Sequence, residues 1–520
     1  MTTRKQIQKR YMIAMASMIG MWALQAGALS TNVWSSVAGG TGPVVGNGPW
    51  DTSTANWWAS GTAAPWNNDG TAIANFAAAG GASSTVTLSG SLSAAGLSFP
   101  SNDVYMLTGA GTLALATSGT VSYAGDNKVT ISNVLSGSDI RFSMSSGTSE
   151  KWINLSGSNQ FTGTTMLGNN VRVTVKNLAA FGTSTIDCGT AGGLYIGVPG
   201  TFTNDIRIGY NGASNNRGPL RFDQTGVTVT GTITLQGDSS ITINTGAGTI
   251  AGPINETGGP RSLTFGNNSY TLTGASTYTG ATTNYGSGTI TLVGGDDRLP
   301  AATVYACRTN GTLKLVGISQ TLAGLSGSAP NAAIVGGSNI VSSLVLNFAS
   351  GTNTFNGMIG GGGANQNNLS LTKSGAGTQV LSNTNTYTGT TTVLAGTLAM
   401  TNDVKSATWA VSNSATLLVS GPLDLLTPSR TLTIATGGGT AGLLQVNGNL
   451  TLGGTLTVSA TNEVRTQVTL AECTGGGAIS GGVSSFSSAS LPTNTLLKIS
   501  NDSTKLLLIK KPRGTMISVF

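Results

Sequence analysis

The sequence predicts an all-β protein, from its composition and its hydrophobic pattern. Charged residues make up 8% of the 520 residues, against about 25% in ordinary soluble domains, so hydroxyl and amide groups must supply the solubility. The chain has 76 glycines beside many Thr, Ser, Asn, Val and Ile, a mixture typical of strands joined by tight turns. Apolar residues amount to 39% and alternate with polar ones, as in TGTITL at 230–235. This period of two favours half-buried strands over a disordered chain.

Residues 1–28 have the pattern of a secretory signal peptide. A basic head with four Lys or Arg precedes an apolar segment at 11–24, and Ala26-Gly27-Ala28 gives a small-residue cleavage pattern. The apolar segment is shorter than the roughly 20 residues that a membrane-spanning helix needs. We therefore expect export, cleavage after Ala28, and a mature chain that is not an integral membrane protein.

The net charge of +7 comes from the two ends of the chain. Residues 29–497 contain 16 Lys or Arg and 17 Asp or Glu, which gives a net charge of −1. Nucleic-acid binding requires a basic stripe or patch on the folded body. The body offers none in its sequence, so we expect no nucleic-acid partner.

A short motif occurs three times and indicates a repetitive fold. It reads LSGSNQFTGTT at 155–165, LTGASTYTGAT at 272–282 and LSNTNTYTGTT at 381–391. The copies are more than a hundred residues apart, so each marks one point on a longer stack of less regular coils. This predicts a right-handed parallel β-helix, or β-solenoid, over residues 81–490, with coils of about 20 to 25 residues and motif regions near 155–175, 272–294 and 371–400.

The third copy lies in a longer frame, LTKSGAGTQVLSNTNTYTGTTTVLAGTL at 371–398. This frame resembles the autotransporter-associated β-strand repeat, also called the passenger-associated transport repeat. GPWDTSTANWW at 48–58 also resembles the opening of secreted proteins that carry this repeat. The resemblance implies a β-helical protein that is secreted by a bacterium or held at its cell surface. Our first hypothesis is therefore a non-enzymatic stalk, adhesin or matrix component, with extracellular or cell-surface polysaccharide as a candidate partner.

The motif positions are expected to be structural. We expect the leucines to face the core, the aromatic residue to stack on or beside a strand, the following glycine to permit a turn, and threonines to pair with threonines of neighbouring coils. The positions are Leu155, Asn159, Phe161, Gly163, Leu272, Tyr278, Gly280, Leu371, Lys373, Gly375, Gly377, Leu381, Asn385, Tyr387, Gly389, Gly396 and Leu398.

The two ends of the predicted solenoid need caps, because an open end exposes core and unpaired strand edges. Five of the eight tryptophans lie at 34–66, which predicts an aromatic cap over residues 29–80. A glycan-binding platform made by Trp50, Trp57, Trp58 and Trp66 is the alternative. Residues 491–520 predict a capping hairpin around Asn501-Asp502 followed by a basic tail. Contact of that tail with an anionic surface is the alternative there.

The sequence has no histidine, which excludes Ser-His-Asp and Cys-His catalysis and histidine-ligated metals. A carbohydrate-active β-helix enzyme that uses carboxylates remains the alternative to a structural protein. Asp187, Asp205 and Asp223 follow each other at equal intervals, so they could stack on successive coils and bind Ca²⁺. Ion pairs with Arg207 and Arg221, each two positions from an Asp, explain the same residues more simply.

Other site types find little support in the sequence. Asp296-Asp297-Arg298 follows two glycines and precedes a proline, which predicts a turn. Cys188, Cys307 and Cys473 are more than a hundred residues apart, which excludes a zinc site or a dense disulfide framework. We expect no cofactor. The segment after the last repeat is too short and too poor in aromatic residues for a translocator barrel, so we expect none in this sequence.

Overall fold

The computed structural model describes residues 29–77, 83–125, 129–144, 150–212, 217–401, 406, 408–426, 430–437, 439–460, 464, 467–486 and 488–511. These residues contain 55 strands and a 3₁₀ turn at Val483–Ser485. The predicted signal peptide and Arg513 of the basic tail lie outside the described residues. The all-β prediction is confirmed.

The described residues form two compact units. The N-terminal unit comprises residues up to Met166 together with Ala180–Ser184, and the C-terminal unit comprises Leu167–Ala179 and the residues from Thr185 onward. This division was not expected from the sequence, which predicts one β-helix over 81–490. The predicted boundary between cap and helix near residue 80 stays a prediction.

The first strands are β1 (Ser30–Trp34), β2 (Gly48–Trp50), β3 (Trp57–Ala59), β4 (Thr62–Ala64), β5 (Ala72–Asn75), β6 (Ser83–Leu88), β7 (Ser91–Phe99), β8 (Val104–Thr108), β9 (Thr112–Tyr123), β10 (Val129–Ile131), β11 (Val134–Ser138), β12 (Arg141–Met144), β13 (Lys151–Leu155), β14 (Gln160–Thr162) and β15 (Thr164–Leu167). The chain continues with β16 (Val171–Val175), β17 (Thr185–Asp187), β18 (Gly193–Ile196), β19 (Gly200–Phe202), β20 (Ile206–Ile208), β21 (Leu220–Phe222), β22 (Val227–Val229), β23 (Ile233–Leu235), β24 (Ser239–Ile243), β25 (Ala247–Ile250), β26 (Ile254–Glu256), β27 (Leu263–Phe265), β28 (Ser269–Leu272), β29 (Thr282–Asn284), β30 (Thr289–Leu292), β31 (Val304–Cys307), β32 (Thr312–Leu315), β33 (Ser319–Leu322), β34 (Gly324–Ser326), β35 (Ala333–Gly336), β36 (Ser342–Asn347), β37 (Thr352–Phe355) and β38 (Met358–Ile359). The last strands are β39 (Leu369–Ser374), β40 (Thr378–Leu381), β41 (Thr391–Val393), β42 (Thr397–Met400), β43 (Thr408–Val411), β44 (Thr416–Val419), β45 (Leu423–Asp424), β46 (Thr431–Gly437), β47 (Thr440–Ala441), β48 (Leu443–Asn447), β49 (Leu450–Thr451), β50 (Thr455–Ala460), β51 (Gln467–Thr474), β52 (Ile479–Ser480), β53 (Ser488–Ser490), β54 (Thr495–Ile499) and β55 (Lys505–Lys510).

The N-terminal unit is built from two parallel ladders. One runs from β2 through β6, β8 and β10 to β13, and the other from β1 through β5, β7, β9 and β12 to β15. The antiparallel pair β3 and β4 lies next to β1, with Trp57 opposite Trp34. The region predicted as a cap therefore contains three strands, β1, β2 and β5, that already belong to parallel ladders.

The C-terminal unit is a parallel β-solenoid. From β18 to β28, successive strands join three sheets in turn, so each coil has three sides. Two further ladders follow, β33-β36-β39-β41-β43-β46-β50-β53 and β37-β40-β42-β44-β48-β51-β55-β54. At the C-terminal end, β55 pairs antiparallel with both β51 and β54. This is the predicted capping hairpin.

The register between strands gives the coil length. Leu371 lies beside Thr391, Thr391 beside Trp409, and Trp409 beside Leu432. The differences between these paired residue numbers are close to the predicted coil of about 20 to 25 residues. The coil length varies because turns between the sides accept insertions while the strands keep their register.

Alternation along each strand separates the core from the surface. In β30, Ile290 and Leu292 are fully buried, while Thr289 and Thr291 face outward. The register places outward threonines side by side over four coils, at positions 228, 249, 271 and 291. The predicted columns of threonine are thus present on the outer face, where each pair contributes roughly 0.2–1 kcal/mol.

Candidate functional site

The aromatic residue of each repeat motif lies in the core. Phe161, Tyr278 and Tyr387 are all 0% exposed. Phe161 lies within β14, whereas Tyr278 and Tyr387 lie in segments that form no strand, just before β29 and β41. Each ring therefore points inward and fills the interior of its coil, and stacking of the ring on or beside a strand stays a prediction.

In the second and third copies, the buried tyrosine forms a hydrogen bond with the threonine four residues later. The Oη atom of Tyr278 lies 2.6 Å from Oγ1 of Thr282, and that of Tyr387 lies 2.6 Å from Oγ1 of Thr391. Burial raises the pKa of both tyrosines well above its ordinary value. Both hydroxyls therefore keep their protons at neutral pH and satisfy a buried partner.

The same threonine position also links one coil to the next. Thr282 Oγ1 lies 2.9 Å from Oγ1 of Thr303, which donates to the carbonyl oxygen of Gly280 at 2.7 Å. In the first copy, which has phenylalanine, Thr165 Oγ1 lies 2.8 Å from Oγ of Ser184. All these hydroxyls are fully buried or nearly so. The TGxT pattern thus places a buried hydroxyl four residues after the ring.

The asparagine of the motif connects its coil to the preceding one. Asn159 Oδ1 accepts a hydrogen bond from the backbone N–H of Leu135 at 2.9 Å, and its Nδ2 donates to the carbonyl of Ala180 at 2.8 Å. Asn385 Oδ1 accepts from the N–H of Ile359 at 2.9 Å. A buried N–H without such an acceptor is costly, which explains an amide at this position.

The motif glycines have two different roles. Gly163 has a φ of 66°, which permits the expected turn. Gly280 and Gly389 do not have positive φ. A Cβ on Gly389 would lie 2.5 Å from the carbonyl oxygen of Leu369, and one on Gly280 would lie 2.3 Å from that of Arg261. The chain also bends at these two positions, and close approach of two backbones, rather than a positive φ, requires the glycine.

Lys373 is completely buried, although the sequence placed it only as a motif match. Its Nζ donates to the carbonyl oxygens of Ser374 at 2.8 Å and Gly375 at 2.7 Å, and lies 4.6 Å from the ring centroid of Phe348. Burial lowers the pKa of Lys373 to about 8. A Cβ on Gly377 would lie 2.3 Å from the same ring. The KxGxG pattern is therefore one packing unit around Phe348.

The other motif positions lie where the sequence predicts. Gly375 and Gly396 have φ values of 72° and 66°. The motif leucines are buried, and they are Leu155, Leu272, Leu371, Leu381 and Leu398.

The tryptophans predicted as a cap form a buried cluster. Trp50 and Trp57 are 0% exposed and Trp66 is 2% exposed. The ring centroids of Trp50 and Trp57 are 4.8 Å apart, and those of Trp57 and Trp66 are 4.6 Å apart. These three rings have no face available for a sugar, so the alternative of a glycan platform fails for them. Trp58 is half-buried.

The three equally spaced aspartates do not stack. Asp187 lies on β17, 3.8 Å from Nη1 of Arg207 on the neighbouring strand. Asp205 instead accepts a hydrogen bond from the N–H of Thr232 at 2.8 Å. Asp223 follows β21, which belongs to a different sheet. Since the register places Arg207 directly beside Asp187, Asp205 falls out of register with it.

The ion-pair expectation therefore needs one correction. Arg221 Nε lies 2.6 Å from Oδ1 of Asp223, as expected from the sequence. Arg207 pairs with Asp187 of the adjacent coil and not with Asp205. Among the described residues, no group of three or more His, Cys, Asp or Glu is close enough to hold a metal ion.

Asp296, Asp297 and Arg298 form a turn that joins three coils. Asp296 Oδ1 accepts from the N–H of Ser319 at 2.8 Å. Asp297 Oδ1 accepts from the N–H of Thr321 at 2.6 Å. In the other direction, Arg298 Nη1 donates to the carbonyl oxygen of residue 273 at 2.6 Å. The only adjacent acidic pair of the sequence is thus occupied by backbone donors.

Sequence reasoning missed a polar cluster on the outer face of β16, β18 and β21. Arg172 is 2% exposed and donates to the carbonyl of Ala191 at 2.6 Å. The guanidinium of Arg221 lies 3.8 Å from the ring centroid of Tyr195, which is 0% exposed. The segment around Tyr210 covers this face, with its ring centroid 5.4 Å from Cζ of Arg172. The arginine in the apolar strand VRVTV was the available signal.

The three cysteines are buried and free. Burial raises the pKa of Cys188 to about 12 and that of Cys307 to about 11. The thiolate, which is the reactive form, is therefore scarce at neutral pH. The described part of the chain also has no helix of the length and apolarity required to span a membrane.

Comparison with known proteins identifies the repeat. Residues 371–400 match the family model described as Passenger-associated-transport-repeat. The chain is 31% identical over 272 residues to the "Adhesin BmaC autotransporter" of Brucella suis biovar 1 (strain 1330). That alignment covers 49% of this chain and 7% of the relative, so the chain spans a small fraction of the length of this relative. The crystal structure of the Haemophilus influenzae Hap adhesin aligns with 94% of this chain and 71% of its own chain, at 11% identity and a TM-score of 0.27.

Proposed function

We propose that this chain is a length of β-solenoid from a bacterial surface or secreted adhesin, and that it acts as a non-enzymatic stalk. The observation that carries the proposal is the burial of the side chains of the passenger-associated-transport-repeat. Its polar side chains, such as Asn385, Tyr387 and Thr391, are buried and satisfied within the protein. Such residues build coils and are not available to a ligand.

The outer face supports the same function. Adjacent threonines at 228, 249, 271 and 291 give an uncharged surface that repeats from coil to coil at the strand spacing of about 4.8 Å. A neutral surface of hydroxyl groups is well hydrated, and it presents no strong field that would attract ions or nucleic acid. Surface polysaccharide is the proposed partner. It would make many weak contacts along such a face.

The proposal is tested in the native bacterium. An antibody against the purified chain should label intact cells or the culture medium, and deletion of the chain should reduce attachment of cells to a glycan-coated surface. The purified chain should release no new reducing or unsaturated ends from uronic-acid polymers. Retention of the chain in the cytoplasm, or catalytic cleavage of such a polymer, would overturn the proposal.

A further inference from the structure

A groove of about 570 Å³ lies on the outer face of β1, β5, β7 and β9 in the N-terminal unit. The register of these strands places Thr31, Ile73, Gly96 and Thr120 side by side across this face. Because Gly96 has no side chain, the surface of the sheet is recessed at the centre of this face. A Cβ at this position would lie 2.6 Å from the carbonyl oxygen of Thr120. A larger residue would therefore clash with the backbone here, and no side chain occupies the floor of the groove at this position.

A bulge between β7 and β9 forms one wall of the groove. The pairing passes from Ala94 opposite Leu115 to Gly96 opposite Thr120, so residues 116–119 have only Ala95 opposite them. Ser118 in this excursion has a φ of 60° and is exposed. Bulges change the direction in which side chains point, and they are frequent next to active sites. Residues near Thr71 and the exposed Leu29 form the other wall.

The lining of the groove is uncharged and combines hydroxyl groups with apolar surface. Its hydroxyl groups include those of Thr31, Ser98, Thr117, Ser118, Thr120 and Ser122. Apolar surface is supplied by Leu29 and Ile73 together with Ala95, Leu97 and Ala116. A volume of this size is within the range of ordinary small-molecule sites. Hydroxyl donors and acceptors beside apolar surface match the hydroxyl edge and the C–H face of a sugar ring, and no charged side chain among the described residues lines the groove.

Asn75 adds a polar group whose hydrogen bonding is incomplete. It lines the groove, and its Oδ1 is buried without a hydrogen-bond partner among the described residues. A buried acceptor without a donor is costly. Rotation of the amide toward the groove would let a ligand hydroxyl supply that donor.

We propose that this groove binds a short segment of a neutral oligosaccharide. The inference names a ligand class and a place for the polysaccharide partner of the proposed function. It places carbohydrate recognition on the bulged sheet face, away from the tryptophan cluster where the sequence suggested it. It does not require the chain to act as a stalk, so the two proposals can fail separately.

The test measures binding of neutral tetrasaccharides to the purified, exported protein by isothermal titration calorimetry. The probes are cellotetraose, maltotetraose and mannotetraose, with tetragalacturonate as the charged comparison. At least one neutral probe should bind, and tetragalacturonate should bind more weakly than that probe. Ser98→Trp, which fills the groove, should weaken binding at least tenfold. Thr130→Trp, a half-buried outward position on β10 outside the groove, should leave affinity unchanged.

Two further variants keep the result interpretable. Asn75→Leu removes the amide and should weaken binding several-fold with an unchanged circular dichroism spectrum. Thr117→Trp blocks the exposed wall and replaces Ser98→Trp if that protein does not fold. Absence of binding by all three neutral probes, tighter binding of tetragalacturonate, or full binding by the folded blocking variant would overturn the inference. Attachment of intact cells despite such a result would leave the stalk proposal standing.

Discussion

The motif copies around Phe161 and Tyr387 use the same positions with different chemistry. In both, the ring is fully buried and a threonine follows four residues later. Around Tyr387, that threonine bonds to the ring hydroxyl of its own motif. Around Phe161, Thr165 bonds instead to Ser184 of the next coil. The two copies therefore share a ring volume, and each satisfies its buried threonine with a different partner.

This difference separates two requirements of the coil. The ring fills space, as shown by the contact of Phe161 with Phe142 at a centroid distance of 6.4 Å. The hydroxyl chain satisfies polar groups that the TGxT pattern forces into the interior. Loss of volume and loss of a hydrogen bond have different costs, so substitutions can distinguish them.

The largest expected effect on stability comes from truncation of the ring. Phe161→Ala and Tyr387→Ala should each lower the free energy of unfolding by about 3–5 kcal/mol, because both leave a cavity in a packed core. Urea unfolding with hydrogen exchange near the altered coil measures the loss. Met106→Ala, at a side chain that is 45% exposed, is the control. A loss below about 1 kcal/mol in either copy would show that the coil collapses around the gap instead of keeping a cavity.

The next effect concerns the asparagine that both copies share. Asn159→Leu and Asn385→Leu should each cost about 1–3 kcal/mol, because the N–H groups of Leu135 and Ile359 lose a buried acceptor. The second copy has Ser276 at this position, and Ser276→Ala should cost much less. Equal losses at all three positions in thermal unfolding would contradict a role for the amide.

Much of the architecture could be predicted from the sequence, because period-two alternation and the repeated motif both report on strands. The inward leucines and the outward threonines follow from alternation, whereas their side-by-side columns also depend on the register between coils. The orientation of Tyr387 could not be predicted in this way, since it lies in a segment without strand periodicity. The role of Gly389 was also hidden, because its constraint comes from Leu369, a neighbour one coil away.

Candidate sites were harder to predict, because they depend on register between coils. The equal spacing of three aspartates suggested that they stack, but the register places Arg207, and not Asp205, beside Asp187. The groove at Gly96 depends on a bulge, and a bulge changes register without leaving a clear local signal. Sequence patterns thus identified the coil-building residues and missed features set by small register shifts.

Lys373 should make the stability of the third copy depend on pH. The first copy has no such residue, because it lacks the KxGxG lead-in. The pKa of Lys373 is lowered from 10.5 to about 8 by burial. Between these values the folded chain has released a proton that the unfolded chain still binds, so stability should rise with pH across this window. Thermal midpoints of the wild type and Lys373→Met, measured from pH 7 to 10, should show the rise only in the wild type. Parallel profiles would contradict the assignment. Tyrosine ionisation at higher pH is common to both proteins and cancels in the comparison.

The smallest expected effects on stability come from exchanging the two ring types. Tyr387→Phe should cost about 0.5–1.5 kcal/mol, because Thr391 loses its buried partner. Tyr387→Phe combined with Thr391→Val should recover part of that loss, since removal of both partners leaves no polar group unsatisfied. Phe161→Tyr should change stability by less than about 1 kcal/mol, because Thr165 already bonds to Ser184 and does not depend on a ring hydroxyl. A double-mutant cycle measures the coupling between ring hydroxyl and threonine. Zero coupling at Tyr387 would mean that the hydroxyl contributes nothing beyond ring volume, and the two copies would then be equivalent.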